Sequence, residues 1–277
     1  MTGMCLPSWA GKTLEKIHLS RLFVLTISGF VIGIWLFATP DGLLGKADAI
    51  GYAVCHRIDA RSFHLGIRTL PMCSRCSGTF LGVLIALSYF ITVKKKAAIF
   101  PNKPILFGLG FFAFAYAFDG VNSYLALIPH APYLYEPHNY LRLSTGMFFG
   151  ISLMSIVYPA LNQSLWLRSY SVRVLSSYRE LVILSLLAAS FILGVISENP
   201  LILYPVAILS TLGVLILLTM VYTMVVLMIT KKEGVAETWQ ELIFPCIGGL
   251  TLAVIQIGLI NLVRYLFMGS WEGFNFL

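Results

Sequence analysis

Residues 201–229 read LILYPVAILSTLGVLILLTMVYTMVVLMI, a stretch without one charged side chain. A helix of that length reaches about 43 Å, more than the roughly 30 Å of a bilayer's hydrocarbon core, so it can tilt or extend past it. No water is available there to satisfy backbone N–H and C=O groups, and a helix satisfies them within the segment. Working outward, six further apolar runs of this kind lie at about 22–39, 77–93, 105–128, 143–161, 181–196 and 242–267. The fold class is therefore all-α, a polytopic bundle of about seven transmembrane helices in a cell membrane. With 58% apolar and 11% charged residues and a mean hydropathy of +0.86, the chain lacks the charge a soluble domain of 277 residues needs to cover its surface.

The formal charge of +7 reflects topology. The basic residues sit between apolar runs, and no hydrophilic stretch is large enough to form a nucleic-acid-binding face, so the expected partner is membrane lipid. The basic N-terminus (Lys12, Lys16, Arg21) before the first run resembles a signal peptide. The run is long, however, and Pro40-Asp41-Gly42 follows it without a small-x-small cleavage site, which predicts an uncleaved first span. With the N-terminus inside, twelve Lys and Arg fall on the inner side and seven on the outer, predicting an N-in, C-out orientation. Four of the outer arginines (Arg57, Arg61, Arg68, Arg75) crowd between Cys55 and Cys76, where topology alone would not put them; they should pair with something.

Three spans carry glycines four apart: Gly29/Gly33, Gly78/Gly82 and Gly146/Gly150. Small residues at this spacing let helices approach closely. They predict a tight four-helix membrane domain over residues 1–160, followed by three additional transmembrane helices over residues 161–277.

Chemistry concentrates in one place. Cys55-His56-Arg57-Ile58-Asp59-Ala60-Arg61-Ser62-Phe63-His64 leads through Pro71-Met72-Cys73-Ser74-Arg75-Cys76-Ser77-Gly78 into the second span. Three of the five cysteines and two of the five histidines lie here. Cys73 and Cys76 at a helix start can face one point, where helix amides and dipole favour thiolates. This spacing is also a metal half-site, to which Cys55 and a histidine add two ligands. The expected metal set is Cys55, His56, Cys73 and Cys76, with zinc the simplest ion. Because Cys55 and His56 are adjacent and do not easily point at one ion, His64 competes with His56. A structural disulfide and a redox-active dithiol remain alternatives in an extracytoplasmic compartment.

Two further features reach the same depth. Phe118-Asp119-Gly120-Val121-Asn122 ends the third run, and Asn139-Tyr140-Leu141-Arg142-Leu143-Ser144-Thr145-Gly146 begins the fourth. An acidic residue in a span normally faces a cavity or a partner, and Arg142 on the adjacent antiparallel helix is the expected one. Arg61, Arg75, Asp119 and Arg142 are thus the candidate substrate-binding residues, suited to an anionic small molecule or lipid headgroup. Cys5 and Cys246 are isolated, and His130 and His138 lie in an aromatic loop of the kind found at membrane interfaces. No phosphate loop, nucleotide fingerprint or zinc-protease motif is present, and no motif assigns an enzymatic class.

The pattern Cys-His, Arg-Ser-Phe and Pro-x-Cys-x-Arg-Cys-x-Gly at the head of a span resembles a family of prokaryotic membrane proteins designated domain of unknown function 2085. The Asp119-Gly120 and Asn139 to Gly146 stretches are similar to that family's later motifs. The resemblance covers about residues 45–155 and implies the choice of site residues without implying an activity. Three functions fit these readings: a membrane protein with a Cys/His metal site acting on an anionic or lipid substrate, a quinone-coupled thiol-disulfide oxidoreductase, and a transporter or lipid-handling protein with a structural disulfide.

Overall fold

The computed structural model describes residues 8–168 and 170–273. Cys5 lies outside the described residues, as do the side chains of Lys12 and Lys16. The order of helices is α1 (Ser8–Ala38), α2 (Gly42–Val54), α3 (Ser74–Val93), α4 (Lys103–Leu125), α5 (Asn139–Leu165), α6 (Tyr178–Ile196), α7 (Pro200–Thr230) and α8 (Ile243–Met268). All but α2 are long and apolar enough to cross a membrane, making seven candidate spans and a multi-pass membrane protein. Strands are brief: β1 (His64–Leu65) pairs antiparallel with β2 (Arg68–Thr69), and β3 (Ala97–Ile99) pairs in parallel with β4 (Tyr170–Arg173) at the opposite end of the bundle.

The seven apolar runs each become a helix, but most helices start earlier than their run. Ser74, Lys103 and Asn139 begin α3, α4 and α5 because a first turn needs polar groups for its unpaired N–H donors. Asn102 shows the reason: its side chain accepts from the Ile105 N–H at 3.2 Å, with Pro104 in the first turn.

The closest packing joins α3 to α5, which both start at the site end and run parallel. Their glycine pairs interlock. A Cβ on Gly78 would meet the Leu143 carbonyl oxygen at 2.3 Å, and one on Gly82 the Met147 oxygen at 2.1 Å. Reciprocally, a Cβ on Gly146 would meet the Arg75 oxygen at 2.3 Å and one on Gly150 the Thr79 oxygen at 2.0 Å. These are backbone-to-backbone contacts that no larger residue permits. The third pair behaves differently: a Cβ on Gly29 or Gly33 would meet nothing within 4 Å among the described residues, and α1 packs along α8. The later helices are knit into the same body, since Gly213 of α7 lies against the Phe80 backbone of α3 and Gly249 of α8 against Thr219 and Thr223 of α7.

Helix α2 carries no span signal in the sequence, because thirteen residues are too few to cross a membrane and Lys46 and Asp48 interrupt its apolar residues. It lies at the site end, packed against α7 and α8. Its Gly51 is indispensable to the site: a Cβ there would sit 2.0 Å from the Pro71 carbonyl oxygen, so only glycine lets residues 71–72 cross α2.

Candidate metal and anion site

The crossing at Gly51 sets the cysteines. Cys55 caps the C-terminus of α2, its N–H donating to the Gly51 carbonyl at 2.8 Å. Cys73 is the N-cap of α3, and Cys76 follows one turn later. The three sulfurs all lie within 4.8 Å of one another, Cys55 and Cys73 buried and Cys76 partly so, and all three are free thiols. Two backbone amides support Cys55 Sγ, from Cys73 at 3.2 Å and from Arg57 at 3.4 Å. The second requires the left-handed turn at Arg57, whose φ is +52°. Hydrogen bonds from the Cys55 and Cys76 thiols hold the Cys73 thiol well below its usual range. The hydrogen bond to Cys73 is also the main reason the Cys55 thiol is pushed up to about 12. A tetrahedral zinc with sulfur ligands at about 2.3 Å places sulfurs about 3.8 Å apart, so a modest contraction of the trio would close it on an ion.

The histidines are placed differently from the cysteines. His56 is half-buried and is not among the ligand atoms gathered within 4.8 Å; its Nε2 is buried without a hydrogen-bond partner. Burial lowers its pKa; the Cys73 thiolate opposes that, while Arg61, Arg75 and Arg142 reinforce it. His64 lies away from the trio, exposed on β1 and 3.1 Å from Asp59. His138 stacks on Tyr140, and Cys246 is exposed on α8.

Beside the trio lies a buried polar cluster. Arg75, between Cys73 and Cys76 in the chain, reaches across to α4 and pairs with Asp119; its Nε donates to Oδ2 at 3.1 Å, and Nη2 contacts the same oxygen. Nη2 also donates to the Asp119 carbonyl at 3.0 Å and to Ser123 Oγ at 2.9 Å. The other carboxylate oxygen accepts from Tyr135 at 2.8 Å. Burial and this bond push the Tyr135 hydroxyl up to about 12. The expected Asp119–Arg142 pair is therefore not the one formed. Arg75 starts its helix facing α4 and holds the carboxylate from two nitrogens, while Arg142 donates to Asn139 Oδ1 of its own helix at 2.9 Å and to Ser123 Oγ of α4 at 3.4 Å. Arg61 is 4% exposed and contacts the Ser123 carbonyl, with its guanidinium 5.5 Å from the Tyr124 ring centre. Its Nη1 is buried and without a partner. Of the four crowded arginines, Arg57 and Arg68 do find a carboxylate, both on Asp48 of α2, as Arg75 does on Asp119.

Several supporting residues carried no motif signal. Ser123 sits one helical turn after Asp119, Tyr135 looks like an interfacial aromatic, and Asp48 falls in the unanticipated helix. Arg264 of the last span donates to the carbonyls of Tyr52 and Cys55, each at 2.6 Å, and so caps the helix that presents Cys55.

Residues 55–156 match the family model described as "Predicted membrane protein (DUF2085)". Over this segment the chain is similar to that family. The segment begins at Cys55 and ends within α5, so it holds the three cysteines, the three buried arginines and Asp119, as the resemblance in sequence implied. An uncharacterized protein of Methanocaldococcus jannaschii is 28% identical over 112 residues, covering 40% of this chain and 65% of that protein. No solved structure matches. Helices α6 to α8 lie beyond the matched residues, yet Arg264 shows that α8 contributes to the site's frame.

Proposed function

We propose that the protein holds a zinc ion through Cys55, Cys73 and Cys76 at the extracytoplasmic face and binds an anionic group of a lipid or small molecule beside it. The observation that carries this reading is the trio itself: three free sulfurs within 4.8 Å, on segments fixed by a glycine crossing, next to buried arginines. Three protein ligands with a fourth position left for another group is the arrangement of catalytic rather than purely structural zinc. A zinc ion held there supplies Lewis acidity toward an oxygen in that position.

The chain's own residues supply the rest. Three thiolates and a divalent ion leave one negative charge, against two net positive charges from Arg61, Arg75, Arg142 and Asp119. One positive charge is therefore uncompensated in a buried setting, and an anion neutralises it. Arg61 Nη1 and His56 Nε2, both buried and unpartnered, are the groups disposed to contact that anion. Arg75 is committed to Asp119 and positions the cluster.

The test is metal analysis with a thiol count on protein purified anaerobically without reductant. About one zinc per chain with reduced thiols is expected. An oxidised pair without metal would replace this reading with the thiol-oxidoreductase alternative. Orientation is checked separately with an impermeant thiol reagent on intact cells. In a background whose native cysteines do not react, Ala131→Cys should label and Lys95→Cys should not, because Lys95 is exposed and lies between Lys94 and Lys96 on the expected inner side. The opposite pattern moves the site to the cytoplasm.

A further inference from the structure

Between α1 and α8 lies a cavity of about 590 Å³ lined by Phe30, Ile34, Trp35, Leu259, Asn261 and Leu262 among others, none of them charged. Phe30, Ile34, Leu259 and Leu262 are more than half exposed, so the cavity opens sideways toward lipid. Its polar atoms are unusual. Asn261 is 4% exposed, yet neither its Nδ2 nor its Oδ1 has a hydrogen-bond partner, and Trp35 Nε1 is likewise buried and unpartnered. Orphaned polar groups in an apolar, lipid-facing setting are costly and call for a partner.

We propose that this cavity binds a neutral lipid through a hydroxyl group. The chemistry selects the ligand. With no charged lining residue, an anionic headgroup has nothing to pair with. The indole offers only a donor, whereas the carboxamide offers donors and an acceptor. A hydroxyl has the chemistry to match all three, since it can accept from an N–H such as Trp35 Nε1–H or Asn261 Nδ2–H and donate to an oxygen such as Asn261 Oδ1. A ketone or ester carbonyl leaves Oδ1 unpaired. The apolar body of such a lipid, isoprenoid or acylglycerol, fills the rest of the groove and enters from the bilayer. The position also matters for the thiol trio. Trp35 packs against the apolar cluster that also contains Ile50, Cys55, Met72, Cys73 and Ile257, so the cavity borders the packing layer that holds two of the cysteines. This site is distinct from the anion cluster and goes beyond the function proposed above.

Thermal unfolding of the delipidated full-length protein in detergent tests the idea with two hydroxyl probes, farnesol and dioctanoylglycerol. Farnesene and trioctanoylglycerol are their hydroxyl-free counterparts. At least one alcohol should raise Tm by several degrees while its counterpart does not, and which one does so identifies the isoprenoid or the acylglycerol source. Asn261→Leu should leave the basal Tm unchanged or higher, because it removes unsatisfied polar atoms, and should abolish the shift. Should Asn261→Leu fail to fold, Trp35→Phe decides on the same criterion. Zinc content in either variant should stay at the wild-type value, which separates this outcome from that of the metal site. The proposal is overturned if neither alcohol raises Tm, if the hydroxyl-free lipids act equally, or if the folded variant keeps the full shift.

Discussion

Replacing Asp119 with alanine is expected to destabilise the protein by about 3–5 kcal/mol, the range typical of breaking a buried ion pair from one side. The side chains of Arg75 and Asp119 are 9% and 3% exposed, and the carboxylate also accepts from Tyr135 at 2.8 Å. Its loss leaves Arg75 facing Arg61 and Arg142 with no carboxylate in the cluster and leaves Tyr135 without its acceptor. Removing both partners with apolar residues of similar size, as in Arg75→Met with Asp119→Leu, should recover much of that loss, because no buried charge is then stranded. A double-mutant cycle read by unfolding in nanodiscs provides the measurement. Coupling between Asp119 and Arg75 should be about 2 kcal/mol or more, whereas coupling between Asp119 and Arg142 should stay near or below 1 kcal/mol, since no direct ion pair joins them. Additive effects at positions 75 and 119 would contradict the pairing, and stronger coupling to Arg142 would restore the arrangement suggested by helix order alone.

That reassignment marks how far the sequence can be read. Seven spans were legible because burial in lipid demands long uncharged runs, a requirement that leaves its trace in composition. The cysteine trio was legible because the spacing of Cys73 and Cys76 at a helix start has few geometric solutions. The partner of Asp119 was not, because the choice between Arg75 and Arg142 depends on how α3 is rotated against α4. That rotation is set by the α3–α5 glycine interlock, through Gly78, Gly82, Gly146 and Gly150. Glycine spacing told which helices can approach closely but not which faces meet, and a Cβ on Gly29 or Gly33 would meet nothing within 4 Å among the described residues. Helix α2 escaped notice for a related reason. A short helix at the bundle's end leaves neither a full apolar run nor a charge gap, and the requirement for glycine at position 51 arises only when residues 71–72 cross it. The same holds for Arg264, whose role depends on α8 returning to the end where α2 finishes.

Serine at any one of Cys55, Cys73 or Cys76 is expected to reduce zinc affinity by well over a hundredfold. That exceeds the 10–100-fold usually seen when only a group supporting a ligand is lost. The reason is chemical: each thiolate is one of three protein ligands, and a serine hydroxyl is a poor replacement for a soft, anionic sulfur. Because the three act as one unit, the Cys73→Ser, Cys76→Ser double variant should be hardly worse than either single variant. Cys55→Ser is informative in a further way. Cys55 Sγ accepts amide hydrogens from Cys73 and Arg57, and serine still offers an oxygen acceptor there, so the local fold should persist while metal is lost. His56→Ala should act on the other half of the site. Its ring stands outside the sulfur group while its Nε2 is buried and unpartnered, so zinc stoichiometry should remain near one per chain. Binding of an anionic probe such as inorganic phosphate should weaken along with that of Arg61→Gln. Equilibrium dialysis against a zinc chelator, with phosphate binding measured on the zinc-loaded protein, separates the two effects. If His56→Ala loses zinc as completely as Cys73→Ser does, the imidazole is the fourth ligand, the site is closed, and zinc there serves the fold rather than chemistry on an anion. If the serine variants retain zinc, the trio is not a metal site, and three buried thiols so close together point instead to thiol exchange.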